Sequence, residues 1–117
     1  MISLHDSDIV SVAFTADGDA ILSFGDVGGA PSTAVFLILR DVVCVERDGG
    51  RSGAVVGELV VSGDFGSERG IELCVERKCA SVEIFLQQMG VDSRMPSGIW
   101  NIKCGSYFAW SWGASPR

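Results

Sequence analysis

The chain has 117 residues, 47% hydrophobic and 21% charged, with 15 Asp+Glu against 9 Lys+Arg and a formal charge of -6. That length fits one domain and not two, and the apolar content argues against disorder. The positive residues are scattered, with only Arg77 and Lys78 adjacent. A nucleic-acid binder normally clusters them to displace counterions, so that class is disfavoured. An acidic domain suits a basic protein partner instead, because opposite fields speed encounter.

The start, MISLHDSDIV, has neither the basic region nor the apolar run of a secretory leader. The longest apolar run, Ala34 to Leu39, is far shorter than the ~20 residues of a membrane span. The expectation is a cytoplasmic protein that does not bind membranes.

Alternation with period two dominates the chain. Val10, Val12 and Phe14 are expected on one face of a first strand. Asp17-Gly18 is a hairpin signal, because both residues of such a turn need positive φ. The return strand runs from about Asp19 to Gly25, with Ala20, Leu22 and Phe24 on one face. Gly25 to Ser32 reads as a loop. Thr33 to Arg40 (TAVFLILR) is apolar on both faces and reads as a central strand covered on each side. Asp41 to Arg47 follows as a second strand or as a continuation past a bend, and Asp48-Gly49-Gly50 as a turn. Ala54 to Ser62 is another strand, with Gly57 as a candidate bulge, and residues 63–66 turn the chain.

Gly70 to Glu76 and Ala80 to Gln87 both alternate, and they are expected to pair as a hairpin through Arg77-Lys78-Cys79. Glu72, Glu76 and Glu83 would then share one solvated sheet face. Met89 to Gly98 reads as a loop, Ile99 to Gly105 and Tyr107 to Trp112 as the last two strands, and residues 113–117 as a frayed tail. The consistent architecture is all-β: an antiparallel β-sandwich or small barrel of about eight to nine short strands, with residues 1–117 as a single domain.

Little of the sequence carries catalytic chemistry. His5 is the chain's one histidine, so no His-rich metal set exists, and no G-x-S-x-G elbow presents a nucleophile. His5, Asp6 and Ser7 are better explained as side chains that pin the lead-in to the first strand by bonding backbone. Asp17-Gly18-Asp19 lacks the spacing of a calcium loop. Gly28-Gly29 and Gly49-Gly50 lack the Lys-Ser or Lys-Thr of a phosphate loop. Cys44, Cys74, Cys79 and Cys104 lack the two close pairs of a structural zinc site. They are expected to be reduced and mostly buried. No cofactor is implied.

The aromatics concentrate near the C-terminus, where all three tryptophans lie, at Trp100, Trp110 and Trp112. Phe108, Trp110 and Trp112 share one strand face, and Tyr107, Ala109 and Ser111 the other. Such residues either fill a core or anchor a partner, since Trp and Tyr dominate interface hot spots.

Leu4-His5-Asp6-Ser7 leads into Ile9, Val12 and Phe14, followed by Asp17-Gly18, Leu22, Phe24 and an apolar strand that reaches Arg40-Asp41-Val42. This pattern resembles small bacterial β-sandwich proteins assigned as immunity proteins of polymorphic toxin systems, and their uncharacterised relatives. The likeness covers about the first 45 of the 117 residues. It implies a cytosolic, non-catalytic binder that blocks a toxin, and it assigns no functional residue.

The leading expectation is therefore a non-catalytic protein-binding domain, an immunity or inhibitor protein for a basic partner such as a toxin. Its candidate contacts are Glu72, Glu76, Glu83, Trp110 and Trp112. The alternatives are a small-ligand or carbohydrate-binding β-domain, and a structural or assembly module that forms homo-oligomers.

Overall fold

The protein is described by a computed structural model covering residues 1–49, 54–87 and 98–113. In chain order the strands are β1 (Asp8–Phe14), β2 (Ala20–Gly25), β3 (Thr33–Arg40), β4 (Cys44–Gly49), β5 (Val56–Gly63), β6 (Gly66–Arg69), β7 (Arg77–Lys78), β8 (Ser81–Leu86), β9 (Gly98–Lys103) and β10 (Ser106–Gly113). A 3-10 turn at Val27–Gly29 separates β2 from β3. Sheet I has the order β1-β2-β3-β10-β7 and sheet II the order β4-β9-β8-β5-β6. Every ladder is antiparallel, and the two sheets pack as a β-sandwich. No helix among the described residues is long and apolar enough to cross a membrane.

The core follows from the alternation. Ala20, Leu22 and Phe24 from β2, Val35, Leu37 and Leu39 from β3, and Tyr107 and Ala109 from β10 point inward from sheet I. Val56, Leu59 and Val61 from β5, Val82, Ile84 and Leu86 from β8, and Trp100 and Ile102 from β9 meet them from sheet II. The β1–β2 hairpin turns around Asp17-Gly18, but as a three-residue loop, Ala16-Asp17-Gly18, in which only Gly18 takes positive φ, at 85°, and not as a two-residue Asp-Gly turn. There the Thr15 amide donates to Asp19 O at 2.9 Å, and the Asp19 amide donates to Thr15 Oγ1 at 3.1 Å.

Several expectations are corrected. Val10, Val12 and Phe14 do not form one uninterrupted face, because the β1–β2 register shifts between Ile9 and Ser11. The bulge turns Val10 outward and makes Ile9 the buried residue. Asp41 to Arg47 does hold a second strand past a bend, but a later one: the chain bends at Asp41 (φ 55°) and β4 starts at Cys44, in the opposite sheet. That strand continues through Asp48 to Gly49, where a turn was expected. Gly113 is the last residue of β10, paired with Thr33. The expected loop over Met89 to Gly98 lies outside the described residues apart from Gly98, which opens β9.

The largest correction concerns Gly70 to Glu76, which is neither a strand nor the partner of β8. The segment carries the chain from β6 in sheet II to β7 in sheet I. Sheets packed face to face stand about 10 Å apart, so a segment that spans the gap cannot lie in either ladder. Ile71 pairs only with Ile2, and Cys74 sits at φ 63°. The crossover is held by side chains: Arg77 pairs with Glu68 and, at 3.3 Å, with Glu72, and its guanidinium lies over the Phe65 ring. The buried Tyr107 hydroxyl accepts the Glu72 amide at 3.0 Å. Tyr107→Phe removes that acceptor and is expected to cost about 1–2 kcal/mol. Urea melts should show the loss at an unchanged m-value. An unaltered midpoint would mean that solvent replaces the bond without cost.

The lead-in is pinned as its polar residues suggest. His5 Nδ1 lies 2.6 Å from Gly57 O, at the point where the β5–β8 register shifts, so Gly57 does mark a bulge. Ser7 is fully buried, and its Oγ accepts the Gly28 amide at 3.2 Å. Gln87 Nε2 donates to Asp6 Oδ1 at 2.5 Å.

Candidate functional site

The two outer faces of the sandwich differ in chemistry. On sheet II the outward positions include Glu46 and Asp48 on β4, Lys103 and Asn101 on β9, Glu83 on β8, Glu58 on β5 and Arg69 on β6. Carboxylates outnumber cations on this face, with Val60, Phe85 and Ile99 facing outward between them, and Arg69 is bound to Glu58 at 2.7 Å.

Sheet I presents the opposite character. Its cross-strand register stacks the outward side chains in rows. One row runs Ala13, Ile21, Ile38 and Phe108; the next runs Ser11, Ser23, Phe36 and Trp110. A third joins Gly25, Ala34 and Trp112, with the Val10 side chain lying against Gly25. The first two rows hold no charged residue, and Asp8, opposite Gly25, ends the third. Phe36 and Trp110 stack with centroids 5.3 Å apart and planes at 24°, and Phe108 lies 6.1 Å from Trp110. Trp112 is 70% exposed and Val10 60%. Among the described residues no further layer covers the face. β3 is thus central in its sheet, but it is covered on one side and not on both.

Carboxylates dominate the margins. Asp8 and exposed Asp26 flank one end of the rows, and exposed Asp17 stands at the hairpin tip beyond the other. Two cations stand at that second end: Arg40, held by Asp19 at 3.7 Å and Glu76 at 3.3 Å, and exposed Lys78, which with Arg40 flanks Ser106 in the register.

The residues singled out from sequence therefore separate. Trp110 and Trp112 do lie together on an outer face, while Trp100 is core, 1% exposed beneath the Arg47 guanidinium at 4.3 Å. Glu72, Glu76 and Glu83 do not share a face, because their two segments never pair. Glu83 faces outward from sheet II. Glu72 and Glu76 belong to the crossover, engaged by Arg77 and by Arg40 respectively; Glu76 also accepts from Ser106 Oγ at 3.1 Å. Phe36, Ile38 and Ile21 were missed as site residues. The available signal was TAVFLILR itself, a strand apolar on both faces in a chain with no amphipathic helix to cover the second one.

The cysteines are less buried than expected: Cys104 is buried, Cys44 and Cys79 are intermediate, and Cys74 is exposed. A cleft of about 380 Å³ opens at one end of the sandwich, lined by Gly63, Asp64, Phe65, Lys78, Cys79, Ala80 and Gly105. No group of three or more His, Cys, Asp or Glu among the described residues could hold a metal ion. The chain matches no protein-family model, no curated protein and no solved structure.

Proposed function

We propose that the chain is a non-catalytic protein-binding domain that docks through the outer face of sheet I, acting in the cytosol as an immunity or inhibitor protein. The observation that carries this reading is the pair of uncharged rows that holds the Phe36–Trp110 stack. A charge-free aromatic centre with a polar margin is the anatomy of an interface hot spot. Monomeric proteins rarely leave so contiguous an apolar patch without a use. The carboxylates Asp8, Asp17 and Asp26 at the margin favour a partner with an apolar centre and Lys or Arg at its own edge, as on a basic toxin.

Calorimetric titration with the product of an adjacent gene tests the reading. Wild-type protein is expected to bind. Trp110→Ala should weaken binding by at least about 30-fold, the equivalent of a 2 kcal/mol hot spot. Glu83→Gln, on the other sheet, should change it by less than about twofold. Equal losses for both variants, or no binding by wild type, would reject the docking face. A stable dimer in light scattering that Trp110→Ala dissolves would assign the face to self-assembly instead.

A further inference from the structure

Two of the crossovers at one end of the sandwich run antiparallel to each other. Residues 78–81 pass from β7 in sheet I to β8 in sheet II, and residues 103–106 return from β9 to β10. They are bonded to each other: the Cys79 amide donates to Gly105 O and the Cys104 amide to Ala80 O, both at 3.1 Å. Each carries one cysteine, and the two Sγ atoms are 3.5 Å apart. Their surroundings are unequal. Cys104 is 6% exposed and belongs to the core, while Cys79 is half-buried and lines the cleft of about 380 Å³ beside Lys78 and Phe65.

We propose that Cys79 and Cys104 form a dithiol–disulfide exchange site. Cys79 attacks a low-molecular-weight disulfide that enters the cleft, and Cys104 resolves the product. The division of labour follows from exposure, since a small disulfide reaches Cys79 from the cleft while Cys104 is enclosed. The electrostatics agree. The Cys79 thiol is held below its ordinary pKa by the hydrogen bond from Cys104 and further by the Arg77 charge, against some desolvation. Cys104 is pushed well above its ordinary value by the same hydrogen bond and by burial. The more available thiolate is the accessible one, as the first step of exchange requires.

The balance closes in two steps. The Cys79 thiolate attacks one sulfur of RSSR, forming a Cys79–SR bond as the S–S bond breaks, and the released RS⁻ takes up a proton. Cys104 then loses its proton and attacks Cys79 Sγ, expelling the second RS⁻, which is protonated in turn. The dithiol is oxidised by two electrons and RSSR is reduced to two RSH. An S–S bond of about 2 Å requires the sulfurs, already in contact, to close by about 1.5 Å. The bond would staple the two crossovers together across 25 positions of sequence.

The test treats the reduced full chain with oxidised glutathione and reads intact mass and non-reducing peptide maps. The expected result is a single Cys79–Cys104 linked peptide, about 2 Da lighter than its two free peptides together, beside glutathionylation at exposed Cys74. Cys104→Ser should stop at a mixed disulfide on Cys79, a gain of about 305 Da. Cys79→Ser should leave Cys104 unmodified, and far-UV circular dichroism checks that both variants fold. Exposed Cys74 serves as an internal control for reagent activity. Modification of Cys74 with Cys79 untouched, a link through any other cysteine, or no reaction at all would overturn the proposal.

Discussion

Trp100→Ala is expected to lower the melting temperature by about 15 °C. The ring is one of the largest fully buried side chains, set on β9 between β4 and β8 and facing sheet I. Deleting a buried Trp costs about 3–5 kcal/mol, because its transfer energy is lost and the cavity collapses only in part. That is a large share of the ~5–15 kcal/mol that holds a domain of this size. About 4 °C per kcal/mol then gives the shift. The Arg47 guanidinium would also lose the ring it covers. Trp112→Ala provides the contrast. Its side chain is mostly in solvent, so the expected loss is under about 0.5 kcal/mol. Calorimetric melts of both variants check the pair. If Trp112→Ala proved the more damaging, the assignment of core and outer face would be wrong.

Gly70→Ala is expected to cost about 3 kcal/mol, or roughly 10 °C in melting temperature. Two penalties coincide there. The backbone φ is +127°, which L side chains rarely adopt, and an added Cβ would sit 2.5 Å from the Ile2 carbonyl oxygen. Because the obstacle is backbone, relief requires the N-terminal segment to move away. The exchanged bonds of the Ile2–Ile71 bridge, 2.8 and 2.9 Å, would be lost with it. Gly66→Ala isolates the first penalty: φ is +95°, but nothing lies within 4 Å of the new methyl. It should cost only about 1–2 kcal/mol. Amide exchange at Ile2 and Ile71 distinguishes the variants. Protection should vanish in Gly70→Ala and persist in Gly66→Ala, and protection retained in both would remove the steric argument.

The two variants mark the limit of what local pattern reveals. Alternation in Ala20, Leu22 and Phe24, or in Val82, Ile84 and Leu86, identifies strands and their inward faces, because side-chain direction in a strand repeats every two residues. The same rule misreads Ile71, Leu73 and Val75. Their spacing matches a strand, yet the segment is a crossover held by Arg77 and Tyr107, and nothing local encodes a distance between sheets. Glu72, Glu76 and Glu83 separate for that reason. They share a period but not a ladder. The same holds for Val10, whose apolar character gives no sign of the bulge that turns it outward.

The 15 glycines and the -6 charge, with few cations and none of them clustered beyond Arg77-Lys78, are properties of composition. Together with the period-two alternation they point to an all-β domain with many short turns, and the charge raises the expectation of a basic partner. The position of the apolar face is a different kind of fact. Phe36 on β3 and Trp110 on β10 are 74 positions apart in the chain, and only the β3–β10 register makes them a stack. Cys79 and Cys104 meet for the same reason, where two crossovers run side by side. Periodicity is local and can be read from neighbours in the chain. Pairing between distant segments depends on which strands share a sheet, and that is settled by burying both inner faces at once.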